Sequence, residues 1–167
     1  MASTLGMKEL SRSADLITPN LTEACLLADI DIDRISRYRD SDSLLAFARE
    51  TASRLRAVAS VNQDVVITGV KCRDDDVPVI CNITATEDGI VESRFHFFDR
   101  SFSGTGDLLA SVLCGCRLNG MRTEDAVALA GSFLYHCIED TVQENISEND
   151  GVKFEKFLME LIMAVSP

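Results

Sequence analysis

The chain has 167 residues, 46% hydrophobic and 26% charged, with a formal net charge of −11. That length and balance suit one globular domain with a real core, and the negative charge argues against a nucleic-acid groove or an anionic membrane surface as the main partner. MASTLGMKEL has no apolar signal-peptide core, and no run reaches the roughly 18 apolar residues of a membrane span, so a cytoplasmic location is expected.

In chain order, the first dozen residues read as a weak helix ending near Ser13. DLITP is a short apolar strand stopped by Pro19, and NLTEACLLA reads as a helix from Asn20. Residues 29–43 carry mixed charges and predict a solvated loop or irregular helical piece. From Leu44 the period becomes helical, with Leu44, Ala48, Ala52, Leu55 and Ala59 on one face. DVVITGV, Asp64 to Val70, is a continuous β-branched run of the kind found in buried parallel strands. KCRDDD reads as a polar turn. VPVICNITAT and GIVESRFHFF then predict two strands joined at Glu87-Asp88-Gly89. Leu108, Leu109, Val112, Leu113 and Cys116 form a helical stripe, and Thr123-Glu124-Asp125 opens another helix through Ile138. A last helix is expected from Val152, with Phe157, Leu158, Leu161 and Ile162 inward. The alternation of strands and helices predicts an α/β fold. The six cysteines form no C-x-x-C pair and predict buried, reduced thiols rather than zinc ligands. His96 and His136 read as packing residues.

Three short stretches carry chemistry. Gly104-Thr105-Gly106 stands directly before an apolar helix, and a helix start exposes backbone N–H groups and partial positive charge that suit a phosphate. Asp107 is an ionisable acceptor in the first turn and could take a proton. Together they match phosphoryl transfer to a hydroxyl, although an ordinary turn and helix cap would use the same residues. The dinucleotide fingerprint fails because Leu109 stands where its third glycine belongs, and no P-loop is present. Asn20 and Glu23 have the spacing of a capping box; at a strand's C-terminal end they could equally organise Mg2+ and its waters. Thr68-Gly69 reads as a small, hydroxyl-bearing strand exit.

Taken in this order, ADLITPNLTEACLL, VVITGV, FSGTGDLLASVLCG and AVALAGSFLYHCIEDT resemble the ribokinase superfamily, and more closely its pyridoxal/pyridoxamine kinase branch. The resemblance runs from about Met7 onward. It implies a three-layer α/β/α fold and ATP-dependent phosphorylation of the hydroxymethyl group of a vitamin B6 vitamer, with ATP and Mg2+ as cofactors. It implies Asp107 as catalytic base, the amides of Gly104, Thr105 and Gly106 as an anion hole, Asn20 and Glu23 arranging Mg2+ and phosphates, Thr18 and Thr68 near the ATP phosphates, and Phe102 near the nucleotide. Hydroxymethylpyrimidine and sugar kinases share the superfamily and are alternatives.

The resemblance further implies a long N-terminal portion of the same sheet that supplies most of the acceptor pocket, and residues 1–167 are expected not to include it. Residues 1–167 are therefore expected to form a single incomplete ribokinase-like domain holding the nucleotide and catalytic-base portion. The expected state is oligomeric or complemented by a separate N-terminal half, because an uncovered sheet exposes apolar surface and an unpaired edge. A non-catalytic remnant is the competing reading.

Overall fold

The computed structural model describes residues 2–165; positions 1, 166 and 167 of the expected domain lie outside the described residues. The chain falls into two compact units, Met1–Arg94 and Phe95–Pro167.

The first unit is built on a four-stranded sheet in the order β1-β2-β3-β4, with β1 at Leu16–Ile17, β2 at Asp64–Asp74, β3 at Val77–Thr86 and β4 at Gly89–His96, whose last two residues, Phe95 and His96, belong to the second unit. Helix α1 (Ala2–Arg12) precedes β1, α2 (Leu21–Leu27) follows it, a 3-10 turn spans Ile32–Arg37, and α3 covers Ser41–Val58. Asp40 starts α3 by accepting the Ser43 amide at 2.8 Å. The buried stripe of α3 comprises Leu45, Phe47, Ala48, Thr51, Ala52 and Leu55. It is wider than the sequence period suggests, and Leu44 is only partly buried. Leu45, Phe47, Ala48, Ala52 and Leu55 share one core with Val65, Ile67, Val70, Cys81, Ile83 and Ala85 of β2 and β3. Each fully buried side chain of this size contributes about 1.5–3 kcal/mol.

The sheet departs from the sequence reading in two places. The run starting at Asp64 was expected to be a parallel strand ending at Val70. It pairs parallel to β1 but antiparallel to β3, and it continues to Asp74. Only the end of KCRDDD is a turn; Lys71 to Asp74 are strand, and Cys72 points into the core between exposed Lys71 and Arg73, a period of two concealed by charges. The turn itself is only Asp75 and Asp76, both at positive φ (43° and 68°), the conformation of a tight antiparallel hairpin that short polar residues tolerate. The second hairpin forms where expected, at Glu87–Asp88.

In the second unit, α4 (Thr105–Leu118) and α5 (Thr123–Gln143) supply the buried residues Leu109, Val112, Leu113 and Cys116, and Ala126, Val127, Ala130, Phe133 and Cys137. Helix α6 is short, Leu158–Val165. The expectation that Leu158 and Ile162 face inward fails: they are 41% and 53% exposed. Phe157 stacks on His136 of α5, and His136 Nδ1 lies 3.0 Å from Glu160 Oε2. His96 is exposed, edge-on to Phe98. All six cysteines are free; five are buried and Cys114 is exposed. No described helix is long and apolar enough to cross a membrane.

Candidate functional site

Two sets of candidate residues exist, one in each unit. In the first, Pro19 ends β1 and Asn20 caps α2. The capping box is complete: Asn20 Oδ1 accepts the Glu23 amide at 2.9 Å and Glu23 Oε2 accepts the Asn20 amide at 2.9 Å. The structural role that the spacing suggested is therefore filled. It leaves both side chains exposed and engages one named carboxylate oxygen of Glu23. Thr18 and Glu23 line a groove of about 510 Å³ together with the apolar side chains of Met7, Leu10, Ile17 and Leu26.

Thr68 is not at a strand exit. It sits in the middle of β2, at a bulge: the pairing jumps from Ile67 opposite Ile83 to Val70 opposite Cys81, so Thr68 and Gly69 face the single residue Asn82. Gly69 adopts φ +70°, the left-handed region open to glycine at little cost. Its amide donates to Asn82 Oδ1 at 3.0 Å. The bulge turns Thr68 toward the other neighbour, where its amide donates to the Pro19 carbonyl at 2.9 Å and it forms a parallel bridge with Asn20. The structure thus brings Thr68 and Asn20 together. Asn82, 5% exposed, was missed by sequence reasoning; the available signal was an amide inside the apolar run VICNITAT.

In the second unit, Gly104 is the residue before α4 and holds φ +80°, ψ −2°. No side chain caps this end. The amides of Thr105, Gly106 and Asp107 belong to the first turn, which has no preceding turn of carbonyls to receive them. Gly104, Gly106 and Asp107 are exposed and Thr105 is half-buried. Thr105 Oγ1 donates back to the Phe102 carbonyl at 3.1 Å, and Ser111 Oγ donates to the Asp107 carbonyl at 2.8 Å. Phe102 is 4% exposed, with the Arg100 guanidinium 4.8 Å over its ring. It is a packing anchor for the turn as well as a nucleotide-side candidate.

Among the described residues no group of three or more His, Cys, Asp or Glu side chains could cage a metal. A Mg2+ ion that keeps most of its waters needs only one or two carboxylates plus phosphate oxygens. Glu23 is an exposed carboxylate of that kind.

Comparison with known proteins decides the ancestry. The model of the phosphomethylpyrimidine kinase family matches residues 2–151. The chain belongs to this family. A pyridoxal kinase of Corynebacterium diphtheriae is 28% identical over 132 residues, covering 77% of this chain and 41% of that protein. The crystal structure of the pyridoxal kinase of Lactobacillus plantarum superposes with a TM-score of 0.78 at 26% identity, over 96% of this chain and 54% of that one. The Staphylococcus aureus pyridoxal kinase, solved with AMP-PCP and pyridoxal, has the same fold: TM-score 0.64, 22% identity, 81% and 46% coverage. The fold is ribokinase-like. This family member spans about half the length of the relatives it matches.

Proposed function

We propose that this family member carries the nucleotide and catalytic-base portion of an ATP-dependent kinase for the hydroxymethyl group of a vitamin B6 vitamer, with residues 1–167 forming one incomplete ribokinase-like domain. The observation that carries the reading is the uncapped, exposed start of α4 at Gly104, with Asp107 in its first turn. A carboxylate next to a free anion-receiving helix end is poorly explained as a cap, since it makes no capping bond there. The staphylococcal relative's complex with AMP-PCP and pyridoxal supports the choice of nucleotide and acceptor.

In this reading Asp107 removes the proton of the acceptor hydroxyl as its oxygen bonds to the γ-phosphorus and the bond to the ADP oxygen breaks. The amides of Gly104, Thr105 and Gly106 receive the charge on the moving phosphoryl oxygens; loss of one such donor costs about 10²–10³ in rate. Thr18, Asn20 and Thr68 serve the ATP phosphates, Glu23 holds Mg2+ through water, and Phe102 stands on the nucleotide side. Bound Mg2+ neutralises phosphate charge.

A hydroxymethylpyrimidine acceptor is the second reading, favoured by the family's own description. A further polypeptide, either another copy or an N-terminal half, is proposed to cover the groove beside β1, because Leu10 is 69%, Met7 60% and Leu26 48% exposed there.

The test is Mg–ATP binding followed by turnover of pyridoxal against hydroxymethylpyrimidine, in wild type and Asp107→Asn. Binding should raise the melting temperature in both proteins, while phosphorylation disappears in the variant. Turnover retained by Asp107→Asn removes the base role. Absence of any Mg–ATP stabilisation in wild type favours the non-catalytic remnant.

A further inference from the structure

Two glycines in three positions make residues 104–106 intrinsically loose, and no side chain caps the helix they start. An anion hole works only if its donors are already in place when charge develops. The order of this turn must therefore come from its surroundings.

We propose that Arg100 is a positioning residue that holds residues 102–106 in their anion-receiving shape by tying them to the segment 146–151. The inference rests on the phosphotransfer reading. Arg100 Nη2 donates to the Ile146 carbonyl at 2.6 Å, its Nε lies 3.4 Å from Glu148 Oε1, and its Cζ stands 4.8 Å from the centroid of the Phe102 ring. One planar group thus touches both sides of the junction. The main chains meet alongside it: the Ser103 amide donates to the Glu148 carbonyl at 3.0 Å. Gly151, at φ +77°, admits the Ser103 carbonyl oxygen to within 3.3 Å of where a β-carbon would stand.

The segment is itself fastened. The Ile146 amide donates to the Thr141 carbonyl at 3.2 Å, and the Lys153 amide donates to the hydroxyl of Thr141, a residue with no exposed surface. Hydrogen bonds therefore run from buried Thr141 in the last turn of α5, through 146–153, to the residue just before Gly104. An exposed ion pair contributes little by itself; what Arg100 adds is three contacts in one fixed geometry. A lysine, with one compact ammonium and no flat face, cannot reproduce them.

The test compares wild type with Arg100→Lys and Arg100→Met by amide hydrogen exchange and by the ratio of Mg–ATP to Mg–ADP affinity. The γ-phosphate that the hole addresses is missing from ADP. The Ser103 and Leu108 amides should exchange at least about tenfold faster in both variants, and the ATP preference should fall toward unity. Unchanged exchange overturns the proposal. So does a lowered melting temperature with the ATP/ADP ratio intact, because Arg100 would then be purely structural. Should the arginine variants fold poorly, Glu148→Gln keeps the carbonyl that receives Ser103 and removes only the charge facing Nε. It should move exchange and ratio in the same direction by a smaller factor, and no movement counts against the brace. If wild type shows no Mg–ATP binding, the phosphotransfer reading fails, and the exchange data alone still decide whether Arg100 orders the turn.

Discussion

The ring of Phe95 occupies the space that a side chain at position 131 would need: a β-carbon placed on Gly131 would stand 2.1 Å from Phe95 Cζ. Gly131 lies in the interior of α5 and is buried, so it is kept there for contact and against helix propensity. Gly131→Ala should gain up to about 1 kcal/mol of helix propensity and lose about 1–3 kcal/mol by displacing the ring, a net destabilisation in chemical denaturation. In a Phe95→Ala background the same substitution should become stabilising, since only the propensity remains. A like sign in both backgrounds would show that the ring yields freely.

Asn20 and Glu23 carry a structural role that can be separated from the proposed one. Asn20→Ala should cost about 1 kcal/mol through loss of the cap. Glu23→Gln keeps an oxygen for the Asn20 amide, so stability should change by less than about 0.5 kcal/mol. The Mg2+ dependence of ATP binding should nevertheless weaken. Isothermal titration at several Mg2+ concentrations, next to thermal melts, separates the two effects.

Glu92 links folding to pH. Burial pushes its carboxyl up, but the hydrogen bonds and charges of Arg94 and Arg49 outweigh burial and hold it below the ordinary glutamate value. A depressed carboxyl stabilises the fold above the unfolded-state value of about 4.3 and loses that contribution as pH falls through the native value. Glu92→Gln should therefore be less stable than wild type at pH 7 by up to about 1 kcal/mol. The difference should begin to shrink as pH falls past the unfolded-state value and vanish below the lower native value. Urea denaturation at a series of pH values checks the sign.

Thiol reactivity should divide sharply. Burial pushes the Cys81 and Cys137 thiols up to about 12, aided by Glu92 near Cys81 and Glu160 near Cys137. Cys114 is exposed. A maleimide at pH 8 should modify Cys114 first, with Cys81 and Cys137 reacting only on unfolding. Peptide mapping by mass spectrometry over time gives the order, and early labelling at Cys81 would indicate an open sheet.

The groove beside β1 predicts association. The 18.3 kDa chain should elute above its monomer mass at high concentration, and Leu10→Ser with Leu26→Ser should shift it toward monomer. Light scattering on both proteins reads this directly. A wild type that stays monomeric and unfolds in one cooperative step would show that the groove needs no cover.

The α/β class, most of the elements and the glycine turn before α4 could be read from the residues because they rest on local rules: apolar period, turn chemistry and the exposed amides of a helix start. Tertiary structure decided what depends on a partner strand or a distant segment. Lys71 to Asp74 become strand because β3 pairs with them and takes Cys72 inward, leaving Asp75 and Asp76 as the turn, while Thr68 and Gly69 become a bulge because Asn82 stands alone opposite them. Leu158 and Ile162 stand 41% and 53% exposed on α6, although their apolar character predicts burial. Arg100 carries no motif; its meaning comes from the carbonyl of Ile146, 46 positions away. Hydrophobic pattern fixes which residues seek burial, but only the folded chain determines which neighbour satisfies each hydrogen bond.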